Sequence, residues 1–188
     1  MRHDIKTYVQ SCHSCQLVKT SNHPSSGQLQ PLPTPDKPLD LISMDTVVMG
    51  SSARETKAKY IQIVLDHNTR FVWAKATPTN TAQAAISILE EVFRTAGDAK
   101  RLLTDQGTSF RSKALKRFLR NHNCSHSFTS TYHPQTNGAN ERVNGTIVRG
   151  IRLTLQDKPH LKWSTFLKSV IDHYNNTITT SLDSRHHS

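Results

Sequence analysis

The chain has 188 residues, of which 35% are hydrophobic, enough for one domain with its own core and a small appendage. Its 24 Lys and Arg against 14 Asp and Glu leave a net charge of +10, which points to a polyanionic partner, most directly nucleic acid, although a generally basic protein would carry the same excess. Three cysteines, no opening signal peptide and no run of about 18 apolar residues argue against a disulfide-stapled secreted scaffold and a membrane protein, and place the chain in a reducing, intracellular compartment.

Residues 1–20 carry Cys12-x-x-Cys15, half of a structural zinc site, with His3 and His13 the nearby imidazoles. Four ligands are needed to close such a site, and neither histidine has familiar spacing for a second pair, so an unmetallated remnant is the competing reading. Residues 21–40 hold prolines at 24, 31, 33, 35 and 38 and are expected to form an extended linker.

The main domain, 41–180, opens with three strand candidates: LISMDTVVM (41–49), KYIQIVL (59–65) and FVWAKA (71–76). DHNTR between the last two reads as a tight hairpin, so antiparallel pairing follows. Ala82, Ala85, Ile86, Leu89 and Phe93 recur at helical spacing over 81–93, with Thr79, Asn80 or Thr81 as cap. A short strand at 101–105 ends in Asp105 and a Gly107 turn. Then come a helix at 112–121, with Leu115, Phe118 and Leu119 inward, and a strand at 125–130 beside Cys124, read as a buried small side chain.

Residues 129–154, TSTYHPQTNGANERVNGTIVRGIRLT, change character midway. Pro134 and Asn137-Gly138 predict a loop, and Val143, Ile147, Ile151 and Leu155 predict a helix whose first turn holds or adjoins Glu141. Arg142, Arg149 and Arg152 fall on its open side. Trp163, Phe166, Leu167, Val170, Ile171 and Tyr174 then mark a core-facing amphipathic helix, and residues 181–188 are expected to fray.

This order predicts an α/β fold, a five-stranded mixed sheet flanked by helices. With the fourth strand beside the first, Asp45, Asp105 and Glu141 could converge. Three carboxylates in one cleft repel each other without cations, and Mg²⁺ or Mn²⁺ is the usual hard-ion solution. A pair of such ions suits in-line phosphoryl substitution. The alternative stays open: two unrelated strand acids, and a Glu that merely suits a helix dipole.

The words around these acids are specific. SMD at 43–45, TDQGTSF at 104–110 and YHPQTNGANER at 132–142, with 35 residues between Asp105 and Glu141, resemble the integrases of Ty3/gypsy-type retrotransposons and the related retroviral integrases over about residues 1–180. The resemblance implies an RNase H-like fold and a polynucleotidyl transferase that processes element DNA ends and joins them to target DNA. Asp45, Asp105 and Glu141 would be the catalytic metal ligands, taking two Mg²⁺ or Mn²⁺ ions when DNA is bound. Tyr132, His133, Gln135, Asn137, Arg142, Arg149 and Arg152 would approach duplex DNA. It also implies a homo-oligomer, no membrane, action in the nucleus and kinship with polyprotein-encoded enzymes. SCHSCQLVK resembles the end of a His-His-Cys-Cys zinc module whose two upstream histidines are absent, so zinc binding through Cys12 and Cys15 is expected to be weak or absent. The same departure, with a chain that stops soon after the last core helix, leaves two rivals: a catalytically inactive DNA-binding or scaffolding derivative, and a nuclease that does not join.

Overall fold

The structure is a computed structural model that describes residues 11, 35–49, 57–129 and 134–177. Five strands form one sheet: β1 (Ile42–Val48), β2 (Tyr60–Asp66), β3 (Val72–Thr77), β4 (Arg101–Thr104) and β5 (Ser125–Phe128). The spatial order is β3-β2-β1-β4-β5. The first three strands pair antiparallel, while β4 pairs parallel with β1 and β5 parallel with β4. Among the described residues, four helices flank the sheet: α1 (Ala82–Ala96), α2 (Lys113–Asn121), α3 (Pro134–Asp157) and α4 (Trp163–Asn176). This is the five-stranded mixed sheet with flanking helices expected of an RNase H-like fold.

The sheet is covered on both faces, and the period-two alternation of each strand divides its side chains between two cores. Ile42, Met44 and Val64 pack with Ala85, Ile88, Leu89 and Val92 of α1 and Leu115 and Leu119 of α2. Ile61, Ile63 and Leu65 pack with Val143, Ile147 and Ile151 of α3 and Trp163, Leu167 and Ile171 of α4. Double coverage explains why β2 reads as a nearly unbroken apolar run. Each fully buried Ile or Leu contributes roughly 1.5–3 kcal/mol of transfer free energy.

The helix ends follow local chemistry. Thr81 caps α1, its hydroxyl accepting from Ala84 N–H, and Ser112 caps α2 through Leu115 N–H. Helix α1 runs past the expected Phe93 to Ala96 and stops at Gly97, whose φ of 103° suits a residue without Cβ. The DHNTR turn is organised by buried Asp66, which accepts from Asn68 N–H at 3.2 Å and from the Thr69 hydroxyl at 2.6 Å. Pro35 to Asp40, the end of the expected linker, lie against the domain: Leu39 packs on the α1 side of the core and Asp40 pairs with Lys100 at 2.6 Å. The rest of that linker, together with Cys12 and Cys15, falls outside the described residues.

One expectation is corrected. Residues 134–140 are helix, not loop, so Glu141 stands seven residues inside α3 and not at its start. Pro134 can open a helix, because the first turn needs no N–H from it and its φ is already helical. Gly138 meets nothing within 4 Å of a Cβ built on it, so no close approach demands glycine there. Burial of the apolar stripe overrides the Asn-Gly turn preference.

Gly150 has a steric role. A Cβ there would lie 2.9 Å from Val170 Cγ1, so α3 and α4 meet closely at this point. Gly150→Leu is expected to lower stability by about 1–3 kcal/mol in urea denaturation, with partial recovery on adding Val170→Ala. An unchanged midpoint would show that the helices do not need glycine to approach.

Candidate metal and nucleic-acid site

Asp45 lies mid-strand in β1, on the face turned toward α3. Asp105 directly follows β4, the strand parallel to β1. Glu141 comes from α3, which crosses that sheet face. The three line one cleft of about 130 Å³ with Met44, Thr104, Thr129 and Asn140. Among the described residues, no three His, Cys, Asp or Glu side chains stand close enough to hold one ion between them. The acids share a cleft but remain apart within it.

Two of the three carboxylates are held by neighbours. Asp45 accepts from Thr46 N–H at 2.7 Å through one oxygen and from Asn144 Nδ2 at 2.6 Å through the other. Asp105 accepts from Gly107 N–H at 2.8 Å. A Cβ on residue 107 would come 2.9 Å from that carboxylate oxygen, so a side chain there would have to displace the Asp105 carboxylate from its turn contact. The Thr104 hydroxyl donates to the Asp105 carbonyl at 2.8 Å and meets His126 Nε2 at 2.9 Å, fixing the strand end.

Burial raises the Asp45 carboxyl above its ordinary pKa, and the nearby charges of Asp105 and Glu141 push the same way. Its two hydrogen bonds only partly oppose them. A carboxyl with a raised folded pKa adds stability below its ordinary range and loses it as pH rises through the folded value. At neutral pH the Asp45 charge is therefore a burden on the metal-free fold. Asp45→Asn is expected to raise Tm at pH 7, with the gain fading toward pH 4. The new amide can be accommodated, because Asn144 Oδ1 is buried with no hydrogen-bond partner among the described residues and can turn to accept from it. An equal or lower Tm at pH 7 would contradict the charge burden.

The donor set fits a hard divalent cation. The cleft is lined by the carboxylates of Asp45, Asp105 and Glu141 with the oxygen-bearing side chains of Thr104, Thr129 and Asn140, and no thiol or imidazole lines it.

Of the expected DNA-contacting residues, Arg142, Arg149 and Arg152 are exposed. At 100° per residue, Arg149 falls about 20° from Arg142 around the helix and Arg152 about 60° further, so they share the open side of α3. Arg142 also lines a larger cavity, about 500 Å³, between α3 and α4 with Arg70, His173 and Tyr174. That cavity is the roomier one, but the acids are in the smaller cleft, and size alone does not locate chemistry. Tyr132 and His133 lie outside the described residues, as do the side chains of Gln135 and Asn137.

Asn140 and Asn144 were not singled out from the sequence. They sit four apart on α3, flank Glu141, and bond Ser43 and Asp45, which sit two apart on β1. That matched spacing was the available signal. Cys124 is buried, and desolvation pushes its thiol up to about 11, which suits packing and not nucleophilic chemistry. Among the described residues no helix is long and apolar enough to cross a membrane.

The family model described as "Integrase core domain" matches residues 35–134, more than half of the chain. The transposon Tf2-3 and Tf2-4 polyproteins of Schizosaccharomyces pombe are each 30% identical over 180 residues, covering 95% of this chain and 13% of their own length. The chain thus spans a small part of these relatives. Among solved structures, the simian T-cell lymphotropic virus intasome in complex with PP2A regulatory subunit B56 gamma superposes with a TM-score of 0.70 at 19% identity, over 96% of this chain and 63% of that one. The HTLV-2 integrase catalytic core domain in complex with magnesium (dimeric form) gives 0.64 at 19% identity, over 77% and 91%. The BIV integrase catalytic core gives 0.62 at 16% identity, over 79% and 97%. The structural likenesses show the fold and the sequence matches show the kinship: the chain belongs to the integrase core family of retroviruses and Ty3/gypsy-type retrotransposons.

Proposed function

We propose that this chain is the catalytic core of a divalent-metal-dependent DNA strand transferase, with Asp45, Asp105 and Glu141 as its metal ligands and catalytic residues. What carries the reading is their convergence on one cleft from β1, the end of β4 and α3. Mg²⁺ or Mn²⁺ held there would supply Lewis-acid chemistry, activating the attacking hydroxyl and neutralising the leaving oxygen. Asp45 and Asp105 are the pre-set ligands, each fixed by backbone or amide N–H groups. Glu141 completes the set from the other side of the cleft. Water attacks in end processing, and a DNA 3′-hydroxyl attacks in joining. In both steps the chain's carboxylates fix the charge that lines nucleophile and phosphorus up.

The partner is duplex DNA, from element ends and target, and the working form is a homo-oligomer acting in the nucleus. Residues 1–20 form a zinc-module remnant, 21–40 a linker, 41–180 the core and 181–188 a tail. Titration of a duplex with Mg²⁺ or Mn²⁺ present, followed by product analysis on gels, tests the reading. Joined strands support it, cleavage without joining favours a nuclease, and binding alone favours a scaffold. The separation of the carboxylates is the observation that keeps the scaffold in play.

The open side of α3 supplies phosphate contacts. Arg142→Ala and Arg149→Ala should each reduce the slope of log affinity against log salt by about 0.9 and weaken unrelated duplexes alike. Loss confined to one DNA sequence, with an unchanged slope, would contradict this.

A further inference from the structure

The acid cleft has one side chain that is neutral, anchored from behind and open in front. Asn140 lines it beside Asp45, Asp105 and Glu141. Its carbonyl end is occupied: the Ser43 hydroxyl donates to Asn140 Oδ1 at 2.5 Å. Ser43 in turn meets His67 Nε2 at 2.8 Å. A serine hydroxyl has one proton, already given to Asn140, so Ser43 accepts here and His67 donates from Nε2–H. The relay runs from imidazole N–H to hydroxyl to amide carbonyl. Its two inner members are rigidly packed, with Ser43 only 1% and His67 6% exposed.

This fixes which end of the Asn140 amide faces the sheet. The oxygen is held against β1, so the NH₂ end is turned away from it, and Nδ2 has no partner among the described residues. Burying a relay of polar groups is worthwhile only when every member is satisfied. Here both links of the relay are made and two donors are left at its outer end. A phosphodiester entering the cleft brings non-bridging oxygens that only accept, and the three carboxylates also only accept. The Thr104 hydroxyl proton is already given to the Asp105 carbonyl.

We propose that Asn140 is a substrate-binding residue whose Nδ2–H donates to a non-bridging oxygen of the phosphodiester under attack, and that Ser43 and His67 are positioning residues that hold it in that orientation. The inference rests on the strand-transfer reading above. It adds a neutral donor, next to Glu141 in the chain, that neither charge nor the acidic motif reveals.

Two measurements test it, both on the full chain with Mn²⁺, which accepts sulfur as a ligand and so mutes any sulfur effect arising at the metal. In the first, joining is followed with duplexes carrying one phosphorothioate diastereomer or the other at the attacked position. Wild type should favour one diastereomer. Asn140→Ala should join the unmodified duplex roughly ten- to a hundredfold more slowly, mostly in kcat, and lose the preference. Ser43→Ala should show a smaller loss of both rate and preference. A role confined to stability would lower Tm in these variants and leave the preference intact. In the second, duplex binding is titrated against salt. Asn140→Ala should weaken it severalfold with an unchanged salt slope, because no charge is removed. Wild-type rate, retained diastereomer preference or undiminished affinity in Asn140→Ala would overturn the proposal. If wild type joins nothing yet Asn140→Ala still weakens binding at constant slope, the contact stands and the strand-transfer reading falls.

Discussion

Asp105→Asn is expected to cut DNA joining by on the order of a thousandfold or more while leaving the fold and DNA affinity in place. Asp105 is exposed at the end of β4, and its carboxylate makes one turn contact, to Gly107 N–H at 2.8 Å. An asparagine keeps the volume and can keep that contact through its own oxygen. What it removes is half a unit of negative charge per oxygen at the place where a cation would be held. Little packing is lost, so circular dichroism and Tm should barely move. Affinity for duplex DNA should hold or rise slightly, because a like charge has left the approach to the phosphates. Cation binding supplies a second readout that needs no turnover. At a hundred times its Kd, Mn²⁺ stabilises a one-site protein by about 2.7 kcal/mol, and Asp105→Asn should forfeit most of that gain. Asp45→Asn and Glu141→Gln should behave alike in both assays. Full joining by Asp105→Asn would show that Asp105 is no catalytic ligand, and an undiminished Mn²⁺ shift in Tm would show that it holds no cation in the cleft.

The fold was largely legible because its signals were local and redundant. Alternation and β-branching marked β1 to β3. The Ala82–Phe93 and Trp163–Tyr174 stripes marked α1 and α4, and Thr81, among three polar candidates, marked the start of α1. The start of α3 was misread because the local signals at Pro134 and Asn137-Gly138 opposed the tertiary gain of docking Val143, Ile147 and Ile151 against β2. Sequence patterns weigh the first and cannot see the second. The acids were legible as types at suitable places. Their supports were not: Asn140 bonds Ser43 across 97 residues and Asn144 bonds Asp45 across 99, pairings that depend on α3 crossing β1 and not on any run of neighbours. His67 was hidden in a predicted turn, where a polar residue needs no further explanation. Its burial is a consequence of the domain folding over the end of β2.

That buried histidine makes the fold acid-sensitive, which is the second large expected effect. Desolvation pushes His67 down to about 4, with the Arg70 charge adding to the fall and Asp66 opposing it. The folded protein therefore keeps the imidazole neutral at pH values where the unfolded chain, titrating near 6.5, has already taken up a proton. The unfolded state binds more protons in that window, so stability is fully present above about 6.5 and is lost as pH falls toward 4. The slope reaches about 1.4 kcal/mol per pH unit, and the loss by pH 4 comes to roughly 3 kcal/mol, a large share of the 5–15 kcal/mol typical of a domain. His126, also lowered by burial, works in the same direction. Asp45, raised by burial, works against it once pH nears the carboxylate range. His67→Gln isolates the term, because its amide can still donate to Ser43 but does not titrate. Urea midpoints measured from pH 7.5 to 4.5 should fall more steeply for wild type than for His67→Gln, with the gap opening below pH 6.5. Parallel curves would mean that His67 takes its proton in the fold as readily as in the unfolded chain, and that the end of β2 is open to water.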